Sequence, residues 1–102
     1  MEYDNMTEPS LPYVELYGKP DCHLCDEAKA LLKQLQSQYP FILREINIAE
    51  HPELAEQYAE EIPVIFINGR KAFKYRIDSQ QFMRRLRRSQ KVNNRWQRLR
   101  PW

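Results

Sequence analysis

Lys19-Pro20-Asp21-Cys22-His23-Leu24-Cys25-Asp26-Glu27-Ala28 holds both cysteines of the chain, separated by two residues. Ahead of it, Tyr13-Val14-Glu15-Leu16-Tyr17 is short, aromatic and branched, and reads as a buried strand that Gly18 closes in a turn. Behind it, Ala28, Leu31, Leu32 and Leu35 recur at the three- and four-residue steps of an amphipathic helix. The cysteines therefore fall at a strand-to-helix junction. The first turn of a helix has unpaired N–H groups and a partial positive charge, which stabilise a thiolate over a thiol. Cys22, at the very start, gains most from this. Cys25 lies one turn further in on nearly the same side, where it can attack a mixed disulfide formed on Cys22.

Outward from this junction the chain continues as a small α/β domain. Tyr39-Pro40 ends a helix that spans about residues 22–38. Phe41 to Ile48 supplies a second strand, which a strand, helix, strand order places parallel to the first. Pro52 suits the first turn of a short helix that runs to Ala59 and stops before Ile62-Pro63. Asn68-Gly69 between Val64-Ile65-Phe66-Ile67 and Lys71-Ala72-Phe73-Lys74-Tyr75 predicts a type I′ hairpin and completes a four-stranded mixed sheet. Asp78-Ser79-Gln80-Gln81 has the form of a capping box for a last helix, with Phe82, Met83 and Leu86 inward and Arg84, Arg85, Arg87 and Arg88 in water. Beyond Ser89, Val92, Trp96 and Leu99 keep helical spacing, so residues 89–102 either extend the helix or form a loose basic tail. Residues 1–11, polar and without periodicity, read as a mobile leader.

A chain of 102 residues suffices for one core, expected over residues 12–88. No apolar run approaches the roughly 20 residues of a membrane span, and Met1 to Pro12 lacks the basic start and apolar stretch of a signal peptide. A reducing, cytoplasmic setting is the expectation, and there a Cys-x-x-Cys pair is redox-active or metal-binding rather than a permanent bridge. Charge is unevenly spread: residues 1–78 carry 8 basic and 14 acidic side chains, net −6, whereas residues 79–102 carry 8 basic and no acidic ones. Such an end favours anionic partners or pairs with the acidic body.

The element order, with Ile62-Pro63-Val64 opening the third strand, resembles the thioredoxin fold in its minimal glutaredoxin form. The run from Lys19 to Ala28 is similar to that of small bacterial glutaredoxin-like proteins. The resemblance implies a disulfide oxidoreductase in which Cys22 is the nucleophile and Cys25 the resolving cysteine. It also implies a cis bond before Pro63, which would turn the Ile62 N–H and C=O toward an extended substrate. Lys19 corresponds to a basic residue beside the active site, and Asp78 to an acid that helps hold glutathione. The Gly-Gly pair that precedes this acid in typical glutaredoxins is replaced here around Tyr75-Arg76-Ile77, and the Pro-Tyr between the cysteines by His23-Leu24. Glutathione is thus a doubtful reductant, with a thioredoxin reductase or another thiol the alternative, and no tightly bound cofactor is expected.

The expected substrates are protein or small disulfides, and the chain is expected to act as a monomer. Competing readings remain open at this level. Cys22, Cys25, His23 and His51 are the soft metal ligands of the chain, too few on one side for a structural zinc within one copy. A non-catalytic adaptor, or a carrier of an iron–sulfur cluster shared between two chains, is the alternative to exchange chemistry. His51, before Pro52, reads as an exposed cap rather than a base. Tyr17, Phe66 and Phe73 read as core. The Arg-rich end with Trp96 and Trp102 would suit nucleic acid, an anionic membrane or an acidic protein, but charge runs are usually solvated faces, and nucleic acid is not the expected partner.

Overall fold

A computed structural model describes residues 11–98, with side chains described through Ser89. The leader expected over residues 1–11 lies outside the described residues except for Leu11, as do Trp102 and the side chains of Val92 and Trp96.

The chain runs β1 (Tyr13–Gly18), α1 (His23–Gln38), β2 (Ile42–Asn47), a 3-10 turn (Ile48–Glu50), α2 (Pro52–Tyr58), β3 (Val64–Ile67), β4 (Arg70–Lys74) and α3 (Ser79–Arg98). The four strands form one sheet in the order β2-β1-β3-β4. β1 pairs parallel with β2, and β3 runs antiparallel to both β1 and β4. This is the mixed sheet that the sequence predicts. Differences are small: Gly18 belongs to the strand instead of a turn after it, a 3-10 turn that no periodicity announced separates β2 from α2, and α3 continues past Ser89 to Arg98.

Alternation along β1 decides how the layers assemble. Val14 and Leu16, with their register partners Ile67 and Ile65, face a core made with Leu32 and Leu35 of α1 and Phe82 and Leu86 of α3. Phe82 is fully buried and meets the rings of Phe41 and Phe73, with centroids 5.5 and 6.3 Å away. The opposite face carries a second cluster, in which Tyr17 and Phe66 pack with Ile48, Leu54, Tyr58, Val64 and both cysteines. Here lies a refinement of the expected core: Tyr17, Phe66 and Phe73 are half-buried, and two of the three belong to this second cluster.

The connections follow local chemistry. Asn68 and Gly69 both have positive φ, 49° and 82°, as a type I′ turn requires. The Asn68 side chain accepts a hydrogen bond from the Tyr13 N–H at 2.8 Å and so ties the turn to the start of β1. The Asp78 carboxylate accepts from the Gln81 N–H at 3.1 Å and opens α3 as its N-cap. His51 stands at the N-cap of α2, as expected, but its ring makes no capping hydrogen bond. Among the described residues no helix is long and apolar enough to cross a membrane.

Candidate active site

Three segments meet where β1, α1 and β3 come together at one end of the sheet. Cys22 is the N-cap of α1, with an extended backbone (φ −113°, ψ 105°), and its sulfur accepts from the Cys25 N–H at 3.2 Å. The residue before it, Asp21, has φ 61°, a left-handed conformation that non-glycine residues seldom adopt. Cys22 and Cys25 are joined as a disulfide, with Cα atoms 5.1 Å apart. Cys22 is half-exposed, whereas Cys25 is buried in the second cluster beside Ile62. One cysteine is thus partly open to solvent and the other is enclosed behind it.

Gly18 makes this placement sterically feasible. A Cβ there would sit 3.0 Å from the Cys25 sulfur and 3.1 Å from its Cβ, so close that the cysteine would have to give by a few tenths of an ångström. The sequence showed Gly18 only as punctuation, because nothing in one strand tells which helix residue lies against it. On the same side an open groove of about 390 Å³ passes Lys19, Cys25, Asp26, Lys29 and Glu45. Lys29 and Glu45 pair across it at 3.2 Å.

Across the site, the Ile62–Pro63 bond is cis and both residues are buried. The Pro63 carbonyl accepts from the Tyr75 N–H at 2.8 Å. One expectation is altered here: the Ile62 N–H, which was to face a substrate strand, donates to the Tyr58 carbonyl at 3.1 Å and closes the end of α2. The segment leading to Pro63 is further held by Glu61, which pairs with Lys71 of β4. That hydrogen bond holds the Glu61 carboxyl below the usual carboxylate range and raises the Lys71 ammonium. Lys71 also stands 5.7 Å from the centre of the Tyr58 ring.

Beneath the dithiol, Tyr17, Tyr58 and Phe66 form an aromatic triangle, with centroids 5.1 to 6.1 Å apart and inclined rings. Burial, followed by the neighbouring Glu15 carboxylate, raises the Tyr17 hydroxyl above its ordinary value. At the outer rim, Glu27 joins two elements. It contacts His23 one turn earlier at 2.8 Å and Arg76, from the loop after β4, at 3.8 Å. Sequence reading gave Tyr58 and Arg76 no role at the site and Glu27 only that of an acid opposing a thiolate; Glu27 and His23 stand four apart on a helix and could have been paired on that ground.

The candidate residues are thus partly assembled. Cys22, Cys25 and Ile62 share one cluster, and Lys19 lies on the groove beside Cys25. Asp78 is engaged at a helix end, and Tyr75, with φ 68° and an exposed ring, occupies the loop where glycines were the family expectation. Among the described residues no three His, Cys, Asp or Glu side chains gather as a metal site.

Comparison with known proteins finds the same fold. A protein of Nitrosomonas europaea, known from a solution NMR structure, is 33% identical and superposes with a TM-score of 0.62 over 78% of this chain and 92% of its own. A protein of X. campestris, solved by X-ray crystallography, is 27% identical with a TM-score of 0.58, covering 68% of this chain and 88% of its own. A crystal structure titled as a thioredoxin-like protein, 20% identical, shares the fold with a TM-score of 0.51 over 67% of this chain and 93% of its own. The sequence profile of the glutaredoxin-like domain (DUF836) matches residues 13–87, which hold the whole sheet, α1, α2 and the start of α3, and the chain belongs to that family.

Proposed function

We propose that the protein is a thiol–disulfide oxidoreductase that reduces protein or small-molecule disulfides. The observation that carries this reading is the Cys22 sulfur at the N-cap of α1, accepting the Cys25 N–H, with Cys25 buried behind it. In the reduced protein the same N–H groups and helix terminus favour a Cys22 thiolate. That thiolate attacks one sulfur of a substrate disulfide; a Cys22–substrate bond forms and the other substrate sulfur leaves as a thiolate. Cys25 then loses its proton to solvent and attacks the Cys22 sulfur, releasing the second substrate thiolate. The substrate gains two electrons, and the pair is left as the Cys22–Cys25 bridge. A thiol such as glutathione, or a disulfide reductase, returns the pair to the dithiol, and the setting is the reducing cytoplasm. Lys19 and the backbone at Ile62-Pro63 border the approach to Cys22, with the Ile62 carbonyl the group available to an extended substrate.

Alkylation and mass spectrometry in defined dithiothreitol or glutathione buffers test the reading. The expected result is a reversible bridge with a midpoint in the cellular range, lost in Cys22→Ser, and a mixed disulfide trapped on Cys22 in Cys25→Ser. A pair that stays reduced, or oxidised, across the whole accessible range would defeat it and leave an adaptor or cluster-carrying role.

A further inference from the structure

At the hairpin end of the sheet, a second cleft of about 330 Å³ lies between β4 and α3. Arg70 from the strand and Arg85 and Arg88 from the helix border it, together with Asn68 and Ser89. Among the described residues no carboxylate lines it and none of the three arginines forms an ion pair. Like charges gathered without a counter-charge repel one another, and an anion between them removes that cost.

The lining is also arranged for acceptors. Arg85 is posed by the Ala72 carbonyl, 3.5 Å from one guanidinium nitrogen, and by the Phe73 ring, 6.0 Å below it. Asn68 spends its amide oxygen on the Tyr13 N–H, so its remaining amide group is the NH₂ donor. The cleft thus offers guanidinium, amide and hydroxyl donors, the set that matches the several oxygens of a phosphate, which arginine can grip with two parallel N–H bonds. α3 continues beyond the cleft to Arg98, and Lys91, Arg95 and Arg98 follow Arg88 at three- and four-residue steps. Those steps keep the positions on one side of a helix. Three guanidinium groups around one cleft match several linked phosphates better than one.

We propose that this cleft binds a phosphate-bearing polyanion, at a site independent of the dithiol. The probe is sodium tripolyphosphate, titrated calorimetrically into the full chain at low salt. Saturable binding is expected in the wild type, weakened at least tenfold in Arg70→Gln/Arg88→Gln. Arg84→Gln/Arg87→Gln, which removes the same charge on the flank of α3 beside Tyr39, is expected to stay within about twofold of wild type. A thermal melt of each variant establishes that it is folded. Absence of saturable binding, or equal loss in the two variants, overturns the proposal, the latter because diffuse charge would then suffice. A labelled single-stranded oligonucleotide run in parallel assigns the source of the phosphates. Displacement by tripolyphosphate with the same dependence on Arg70 and Arg88 means nucleic-acid backbone; tripolyphosphate binding alone means free oligophosphate.

Discussion

A methyl group added at Gly18 would enter space already held by the Cys25 sulfur, 3.0 Å from the new carbon. The end of β1 or the first turn of α1 must then give by a few tenths of an ångström, and the buried Cys25 has little room to do so. Gly18→Ala is expected to destabilise the protein by about 1–3 kcal/mol, the usual range for overpacking, and to shift the midpoint of the cysteine pair. Urea unfolding and a redox titration of the same variant check this; unchanged values in both would mean that the helix end gives way freely. Chemistry at this scale was legible from residue type and spacing: the two cysteines at a helix start and, through family resemblance, the cis bond at Pro63. What stayed hidden was contact. That Gly18 accommodates a sulfur, or that the Ile62 N–H belongs to Tyr58, depends on residues brought together from distant parts of the chain.

Asp78 belongs to the scale of the element, since its carboxylate caps the Gln81 N–H and its carbonyl receives the Phe82 N–H at 2.8 Å. Asp78→Ala is expected to cost about 1 kcal/mol of stability, whereas Asp78→Asn, which caps equally well, is expected to cost little. Denaturant midpoints measure both. If Asp78→Asn kept stability yet weakened turnover driven by glutathione, the carboxylate would have a ligand role beyond capping. Elements were the most legible level here. Period 3.6 in α1, the Asn-Gly turn and the capping signal before α3 are local rules, met within a few residues. The 3-10 turn at Ile48–Glu50 was not, because it is fixed by Ile48 entering the second cluster and by the Asn47 side chain accepting from the Ala49 N–H at 2.9 Å.

Across the whole molecule, stability at alkaline pH reports on the aromatic cluster under the dithiol. Tyr17 ionises in the unfolded chain near its ordinary value of 10.0 and later in the folded one, where burial keeps the proton on. Above pH 10 the folded state therefore holds more protons than the unfolded state, and stability falls as pH rises through the folded value. Melting temperatures of wild type and Tyr17→Phe, compared from pH 8 to 11, are expected to diverge in the upper part of that range, with the variant declining less. Parallel curves would refute the assignment. The parallel pairing of β1 with β2 and the β3–β4 hairpin were readable from the sequence, because a short strand, helix, strand unit and an Asn-Gly turn have few ways to close; that β3 joins the sheet beside β1, and that the core divides into two clusters, was not, since alternation along β1 does not say which strand or helix lies against it. The disulfide joins residues only three apart. Closing so short a loop removes little conformational freedom from the unfolded chain, because the entropy gained grows with the length enclosed. The oxidised and reduced forms then differ in stability mainly by what the folded junction does to the two sulfurs. By the closed thermodynamic cycle, that difference equals the gap in reduction free energy between the folded and unfolded pair. A pair of calorimetric melts, with and without reductant, therefore measures how far the folded junction favours the dithiol over the bridge.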